Sequence, residues 1–407
     1  MSKGPPKDFG FGPDEEMLRD LGRKLLDERL PVEALRQLVA DDPDAVYERG
    51  ERPGWNAALW REIVELGWTG LAVPEEAGGV GFKRVGIAAL VEEVGRHALP
   101  SPFVATLAAT YVLSEAEAET ARAWLARISD GTTATLAITD SRGSWEASDG
   151  EVTAREDGDA LRLDGAAFFV QDGFKADVLV TAARKGEGRI LCVVPRDSPG
   201  LALERDRIHD LTRDQATARF EGVRVARENF VSGDAVRAIE RAWPSILVTV
   251  AADLVGCAEW QLQTTVQYAK DRKQFDRPIG FFQAVKHPLV NAMIAIDRAR
   301  SLVYHAACCI DTDDPEALQA ARMAKSAASD AGAFISDRSV QLHGGIGFTW
   351  ESDVHIFFKR SMHNQALYGD GVHQRSKLAE AMIGPIGVGD PSSSGAGRTG
   401  RLPSGVA

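Results

Sequence analysis

The chain has 407 residues, of which 44% are apolar and 26% charged, the balance of a globular protein with an ample core in two or three packed regions. Its 59 acidic residues outnumber 47 Lys and Arg, so the formal net charge is −12. Binding to nucleic acid or to an anionic membrane needs a surplus of clustered cations, so the charge argues against both. No run approaches the roughly 20 apolar residues of a membrane span, and residues 1–16 lack the apolar core of a signal peptide. We therefore expect a cytoplasmic protein without a membrane span.

The four cysteines argue against a disulfide framework or a zinc site. Cys192, Cys257, Cys308 and Cys309 have neither CxxC spacing nor the density of a secreted scaffold. We expect them to be buried thiols that act as small hydrophobes.

Residues 12–130 are predicted to form an N-terminal helical domain. Apolar positions recur there at helical spacing. The stripes cover residues 15–30, 32–39, 55–66, 85–94 and 116–128. A glycine-rich loop, VPEEAGGVG at 73–81, interrupts them.

Residues 131–232 have a different sequence pattern and are predicted to form a central β domain. Short runs rich in β-branched residues alternate with Gly, Asp and Pro turns, as in an antiparallel sheet. The runs lie at 133–139, 160–163, 178–182 and 190–194. About 100 residues suit a small sandwich or barrel.

Residues 233–386 are predicted to form a C-terminal helical bundle, because three helical stretches each exceed 25 residues. They cover 238–270, 282–311 and 315–342, and Pro244 is an alternative start for the first. Residues 387–407 are rich in Gly, Ser and Pro and are predicted to be disordered. The order helical, β, helical predicts an α+β multi-domain fold and excludes Rossmann and TIM-barrel architectures, in which strands and helices alternate throughout.

Two strings stand out near the ends of the long helices. The first, RKQFDRPIGFFQ at 272–283, gathers Arg272, Lys273 and Arg277 ahead of a helix N-terminus. This arrangement suits either a phosphate site or a solvated corner between helices. The second, QLHGGIGFT at 341–349, ends a helix with three glycines and suits either a helix cap or a close approach of a ligand to the main chain.

Together the strings resemble the acyl-CoA dehydrogenase family of flavoproteins. The patterns R-x-Q-F-x-x-P-I-x-x-F-Q, Q-x-x-G-G-x-G-x-T and the early V-P-E-E-x-G-G-x-G loop occur here in the family's order and spacing, over about residues 12–385. The resemblance implies a helical domain, a β domain and a four-helix bundle, assembled into tetramers that are dimers of dimers. It also implies that FAD lies between the β domain and the bundle and reaches a neighbouring subunit.

The resemblance also implies roles for particular residues. Ile138 and Thr139 would lie near the pyrimidine edge of the flavin, and Phe169 and Gln171 near its N5. The neighbour's pyrophosphate would be contacted by Arg272, Gln274, Phe275, Phe282 and Gln283, and the adenosine part by 341–345, including Gln341, Gly344 and Gly345. Gly371 and His373 complete the predicted cofactor contacts.

The implied reaction is α,β-dehydrogenation of an acyl-CoA thioester. A carboxylate removes the α proton while the β hydride passes to flavin N5, and an electron-transfer flavoprotein or a similar acceptor then takes the electrons. Hydrogen bonds to the thioester carbonyl lower the pKa of the α proton. The backbone N–H of Gly369 could supply one of them, because that role needs no side chain.

The expected catalytic base is missing. Where many members have Glu in a Y-E-G-T string, this chain has Gly369, and where a second subset has its Glu, this chain has Ile246. Asp370, one position displaced, is a candidate base, and its alternative role is that of an ordinary turn residue between glycines. Asp253, Glu240 or a carboxylate of a partner subunit are further alternatives.

A second departure lies in the β domain. The family's T-E-P-x-A-G-S-D loop is replaced by TDSRGSWE at 139–146, in which Arg142 and Trp145 stand among the small residues expected beside flavin and substrate. Such divergence, together with the stretch at 92–103 and the Leu-Tyr-Gly-Asp ending at 367–370, resembles the bacterial heteromeric dehydrogenases of steroid side-chain breakdown, in which one of two unlike chains lacks the base.

Four functions remain open at this point. They are a catalytic acyl-CoA dehydrogenase, a flavin oxidase of the same fold acting on a non-CoA substrate, a base-lacking subunit of a heteromeric enzyme, and a flavin-free binding protein. His343, His363 and His373 do not form a compact ligand set, so we expect no metal and interpret them as satisfied or exposed histidines.

Overall fold

The computed structural model describes residues 8–40, 55–116, 118–231 and 234–384. Its N-terminal region is helical, with α1 (Pro13–Arg29), α2 (Val32–Ala40), α3 (Ala57–Glu65), α4 (Arg84–Arg96), α5 (Phe103–Ser114) and α6 (Glu119–Ser129). Side chains cap the helix starts where the sequence supplies acceptors. Glu15 accepts from the N–H of Gly12 at α1, and Asn56 accepts from Ala58 and Leu59 at α3.

The central region is one eight-stranded sheet. The strands are β1 (Ala134–Ala137), β2 (Thr153–Asp157), β3 (Ala160–Gln171), β4 (Val178–Lys185), β5 (Gly188–Pro195), β6 (Leu201–Arg205), β7 (Gln215–Val225) and β8 (Phe230–Val231). Their order is β6-β7-β3-β2-β4-β5-β8, with β1 beside β4. Most neighbours are antiparallel, as predicted, but β1 pairs with β4 in parallel and β2 touches β4 in parallel at a single residue pair.

The C-terminal region is a bundle of long helices. It contains α7 (Ala235–Asp271), α8 (Gln283–Asp311), α9 (Ala317–His343), α10 (Val354–Ala366) and α11 (Gly371–Ile383). Between α7 and α8 a short ribbon pairs β9 (Lys273–Gln274) with β10 (Arg277–Pro278). The predicted fold class is confirmed. The domain boundaries stay predictions, and residues 232, 233 and 387–407, where two of them fall, lie outside the described part of the chain.

The long helix α7 corrects one expectation. It begins at Ala235, where Asp234 caps the N–H groups of Val236 and Arg237, and not at Pro244. Pro244 is therefore inside the helix, where a proline loses one backbone hydrogen bond, and the deep burial of the rest of α7 offsets that loss. By length and composition alone α7 could cross a membrane, but 89% of its most apolar stretch is buried inside the protein, as in a core helix.

Helices α4 and α7 cross with their backbones in contact. A Cβ at Gly95 would overlap the carbonyl of Asp253, and a Cβ at Gly256 would overlap the carbonyl of Glu92. Only glycine fits at these two positions, since any side chain would push the helices apart. Helix α4 of the N-terminal region is thus in direct backbone contact with helix α7 of the bundle.

A buried ionic cluster joins the bundle to the sheet. Arg360 of α10 donates to both carboxylate oxygens of Asp253 on α7 at 2.9 and 2.6 Å, and Arg213, just before β7, donates to one of them at 2.8 Å. Asn364 donates at 2.8 Å to the other oxygen. Burial alone would raise the pKa of Asp253, but the two guanidinium groups outweigh it and hold that pKa below its ordinary value.

The four cysteines are free and buried, as predicted. Cys257 lies in the same part of the core, where its Sγ accepts from Ser361 at 3.2 Å. Burial comes first among the causes that raise the pKa of Cys257, to about 12, so this thiol stays protonated.

We expect Arg360→Met to lower the free energy of unfolding by about 3–5 kcal/mol, because it leaves the buried Asp253 carboxylate short of its main partner. Arg155→Met is the control, since Arg155 is 70% exposed and pairs with Asp164 at the surface. The control should cost less than about 1 kcal/mol. Urea denaturation followed by circular dichroism measures both, and equal losses would contradict the structural role of the cluster.

Candidate functional site

The largest described cavity lies between the sheet and α10 and has a volume of about 780 Å³. Its walls come from the end of β3, the segment before β7, the loop after β1, and one face of α10. The lining residues are Gly143, Trp145, Phe169, Gln171, Arg207, Ile208, His209, Asp210, Gln215, Phe358, Lys359, Met362, His363, Ala366 and Leu367. Mostly apolar walls with a few polar groups are typical of a site for a cofactor or small molecule.

A distortion in β3 brings Phe169 to this cavity. The pairing of β3 with β7 shifts register between Ala167 and Val170, and Phe169 has a φ of +55°. Opposite it, the N–H of Phe168 donates to the carbonyl of Thr139 at 3.0 Å. Such bulges commonly re-aim a side chain near a functional site. Phe169 and Gln171, predicted from the resemblance, therefore both line the cavity, whereas Ile138 and Thr139 are buried behind it.

A chain of hydrogen bonds runs along the polar edge of the cavity. Gln215 donates to Asp206 at 2.8 Å, and Gln171 donates to the side-chain oxygen of Gln215 at 2.8 Å. The other end of Gln171 meets Nε2 of His363 at 2.6 Å. The chain links the sheet to α10 across the cavity wall.

The position expected for the base is closed to a side chain. Gly369 has a φ of +92°, and a Cβ there would overlap the ring of His373. The N–H of Gly369 donates to the carbonyl of Ala366 at 3.1 Å, so it is already engaged in a turn. Its carbonyl accepts from Nζ of Lys325 at 3.0 Å.

Lys325 is a fully buried ammonium that holds this loop. Besides Gly369, it donates to the carbonyl of Gln365 at 2.9 Å and to the hydroxyl of Ser329 at 3.0 Å. These acceptors are neutral, and burial lowers the pKa of Lys325 to about 7, an effect that the charge of Asp370 opposes. The three bonds fix the turn between α10 and α11.

Asp370 caps the next helix. Its Oδ1 accepts from the N–H of His373 at 2.8 Å, and α11 begins at Gly371. Asp370 is exposed and, with Gly369 and His373, lines a second cavity of about 570 Å³. Gly371 is pinned through its carbonyl, which accepts from Ser326 at 3.2 Å.

The other positions considered for the base differ in whether a carboxylate there is free to accept a proton from a substrate. Both oxygens of Asp253 are occupied in the buried cluster described above, which leaves none for a substrate proton. Glu240 is exposed and lines a third cavity of about 210 Å³. Ile246 is buried and apolar, so the second family position for a base holds a core residue.

An aromatic cluster separates these cavities. The rings of Trp145 and Trp243 each meet Tyr368 edge to face, at centroid distances of 5.1 and 5.4 Å. Trp145 lines all three cavities, so its indole is their common wall. Aromatic rings therefore form one wall of the space beside the base position.

The loop that carries Trp145 is held by its own hydrogen bonds. Buried Asp140 accepts from the N–H groups of Arg142 and Ser144 at 3.0 and 2.7 Å and pairs with the Arg142 guanidinium at 2.8 Å. Burial would raise the pKa of Asp140, but these bonds hold it below its ordinary value. The loop is thus pre-ordered around an Asp turn.

The first sequence string forms a tight hairpin and not a plain helical corner. Phe275 and Asp276, both at positive φ, connect β9 to β10. Phe275 is 85% exposed, its ring meets that of Phe282 at 6.1 Å, and Arg272 and Gln274 are exposed beside it. Gln283 is the first residue of α8.

The second string lies at the same end of the bundle. The ring of Tyr268, near the end of α7, stacks on His343 at the end of α9 with centroids 4.2 Å apart. Gly344 then breaks α9 at a φ of +65°, and Gln341 and Gly345 are exposed beside it. The fold therefore places the end of α7, just before the first string, against the second string.

Sequence reasoning missed three site residues. His363 and Trp243 showed no local pattern, because their partners are far away along the chain. Lys325 did carry a signal, since it is a charged residue on the face of α9 that otherwise presents Ala321, Ala324 and Ala328 to the core.

Residues 12–132 match the family model described as acyl-CoA dehydrogenase, N-terminal domain, and residues 248–383 match acyl-CoA dehydrogenase, C-terminal domain. Acyl-CoA dehydrogenase IpdE2 of Mycobacterium tuberculosis is 31% identical over 86% of this chain and 91% of its own length. The mitochondrial short-chain specific acyl-CoA dehydrogenase of Mus musculus is 25% identical over 79% of this chain and 82% of its own length. Among solved structures, the Tcur3481–Tcur3483 steroid ACAD is 28% identical with a TM-score of 0.80, covering 92% of this chain and 98% of that one.

We expect Gly369→Ala to lower the free energy of unfolding by about 1–3 kcal/mol, because the residue has a positive φ and its Cβ would meet His373. Gly345→Ala is the control, since a Cβ there meets nothing and the backbone is not left-handed. Its effect should stay within about 0.5 kcal/mol. Denaturant melts measure the two, and a harmless Gly369→Ala would mean that the base position is open.

Proposed function

Because this chain belongs to the acyl-CoA dehydrogenase family, we propose that it takes part in FAD-dependent dehydrogenation of an acyl-CoA as the subunit that lacks the base and relies on a partner chain for it. Members of the family are FAD-dependent oxidoreductases that act on CH–CH donors. The predicted family, cofactor and reaction class are thereby confirmed. The division of labour between chains is the new element of the proposal.

One observation carries the proposal. The position of the family's base holds Gly369, and the surrounding atoms exclude a side chain there because a Cβ would overlap His373. The nearest carboxylate, Asp370, is already used as a helix cap. A carboxylate displaced by about 1 Å can lose about 100-fold in rate, so a cap residue that points at its own helix is a poor base.

The described residues fit FAD, which supports the cofactor side of the proposal. The 780 Å³ cavity has aromatic walls at Phe169 and Trp145, which suit a flat ring system, and a polar edge at Gln171 and His363. Bound there, FAD would accept the hydride from the β carbon of the thioester.

The exposed hairpin of β9 and β10 supports a second part of the proposal, which is contact with FAD bound in a neighbouring subunit. Arg272, Gln274 and Phe275 project from the end of the bundle, and the exposed backbone of Gly344 and Gly345 lies at the same end. Cations and exposed glycine backbone suit a pyrophosphate-containing ligand. In the proposed assembly, a dimer of dimers with two kinds of chain, these residues contact the partner's flavin together with Phe282, Gln283 and Gln341.

The chain's own residues have defined tasks in this proposal. Lys325 holds the carbonyls of Gln365 and Gly369 and so keeps the turn next to the cavity in one conformation. Trp145 and Phe169 exclude water from the space beside the flavin. Ile138, Thr139, Gly371 and His373 frame the site from the sheet and from α11.

The proposed substrate is a bulky acyl-CoA of steroid origin. The support is the 28% identity to a protein described as a steroid ACAD, which carries two chain names. The aromatic cluster forms one wall of the space beside Gly369, and in the proposed assembly the substrate is held mainly by the partner. Electrons would pass to an electron-transfer flavoprotein or a similar acceptor, and four free thiols agree with a cytoplasmic location.

The chain should be expressed alone and together with a family member that carries the glutamate, and the visible spectrum recorded for each. We expect bound flavin and anaerobic bleaching by a steroid acyl-CoA only for the co-expressed pair. Fatty acyl-CoA is the control substrate for the steroid assignment. A yellow protein that is bleached by an acyl-CoA without any partner would overturn the proposed division of labour.

We expect Asp370→Asn to leave the rate of flavin reduction in the pair within about twofold of the unsubstituted protein, because Asn caps a helix as well as Asp does. If Asp370 were the base, the rate would fall by at least about 100-fold. Stopped-flow measurement of flavin bleaching separates the two outcomes.

A further inference from the structure

Gln171 is oriented by a carbonyl group at the cavity wall. Its Nε2 donates to the backbone oxygen of Phe169 at 3.0 Å and to the side-chain oxygen of Gln215 at 2.8 Å. A backbone carbonyl can only accept, so the amide atom that faces it must be nitrogen. The oxygen of Gln171 therefore faces the other way.

The carboxylate of Asp206 independently fixes the orientation of the Gln171 side-chain amide, through Gln215. Gln215 donates through Nε2 to Asp206 at 2.8 Å, and an ionised carboxylate only accepts. The side-chain oxygen of Gln215 must then face Gln171 and accept from it. Both anchors assign the same orientation to the Gln171 amide.

This polarity determines the tautomer of His363. The oxygen of Gln171 lies 2.6 Å from Nε2 of His363 and can only accept, so Nε2 carries the proton. Burial comes first among the causes that lower the pKa of His363, with Arg213 and Arg360 adding to it and Asp210 and Asp172 opposing. At neutral pH the ring is therefore neutral, and Nδ1 has a free lone pair.

That lone pair faces accessible space. No described residue hydrogen-bonds to Nδ1, and Nδ1 is not among the fully buried polar atoms that lack a partner. The ring of His363 lines the 780 Å³ cavity together with Lys359, Met362 and Ala366 of the same helix. Nδ1 of His363 is thus a hydrogen-bond acceptor in this cavity, and its orientation is set through Gln171 by the bonds to Phe169, Gln215 and Asp206.

We propose that His363 is a positioning residue for the flavin and that its Nδ1 accepts a hydrogen bond from a ring N–H of the bound cofactor. The inference rests on the proposed binding of FAD in this cavity. It makes the site selective for a flat heteroaromatic ligand that presents an N–H donor at this edge. A ligand with only acceptors there would face a lone pair and bind more weakly.

Two amide substitutions test the roles of the two ring nitrogens of His363 separately. His363→Gln places an amide near the position of Nε2, so it can still donate to Gln171 but offers nothing at Nδ1. His363→Asn places an amide oxygen near the position of Nδ1 but does not reach Gln171. Because both variants are amides of similar polarity, each is the matched control of the other.

We expect His363→Gln to weaken FAD binding by the co-expressed assembly at least about tenfold, which is about 1.4 kcal/mol, and His363→Asn to stay within about threefold. Quenching of flavin fluorescence measures the dissociation constants. Thermal melts without added FAD verify that both variants fold. If His363 served only to hold Gln171, the order would be reversed, and that result overturns the inference.

The tautomer of His363 can be measured by NMR, without following the flavin reaction. In the co-expressed assembly with this chain labelled with ¹⁵N-histidine, and with His363→Gln used to assign the signal, we expect a neutral imidazole protonated at Nε2, whose Nδ1 signal shifts when FAD binds. A proton on Nδ1 overturns the inference while the proposed function stands. A co-expressed assembly that binds no FAD overturns the proposed function and the inference with it.

Discussion

The buried carboxylate of Asp253 is the constraint on which the site depends. Its two guanidinium partners come from α10 and from the segment before β7, so one charge cluster fixes the sheet, α7 and α10 relative to one another. The cavity lies between the same elements, and α10 carries His363 while β7 begins with Gln215. Breaking the cluster would therefore change the shape of the cavity as well as lower stability, because an unpaired buried charge is costly.

The site combines retained cofactor features with a lost acid–base group. The exposed hairpin, the glycine-rich end of α9 and the bulged end of β3 are all built from ordered backbone, and they suit a large anionic cofactor. At Gly369, by contrast, the N–H and the carbonyl both have internal partners, and aromatic rings form one wall of the adjacent space. The structure thus has features that suit cofactor binding but has a glycine at the position expected for the base.

The local patterns of the sequence were enough to predict the helical and β regions, and fixed strings were enough to predict the family and its cofactor. They were not enough for features that arise from distant residues. The tautomer of His363 depends on Gln171, 192 positions away, and the parallel pairing of β1 with β4 depends on how the chain crosses the sheet. Pro244 was a poor guide to the start of α7, because tertiary burial outweighs a local helix breaker.

The glycine crossing of α4 and α7 has a consequence for motion. Because each backbone lies against a carbonyl of the other helix, sliding α4 by one turn would bring Val91 to a point that accepts only glycine. The crossing therefore holds α4 and α7 in one register. Because the Asp253 cluster also ties the sheet to α7, the sheet, α4 and α7 form one connected framework around the cavity.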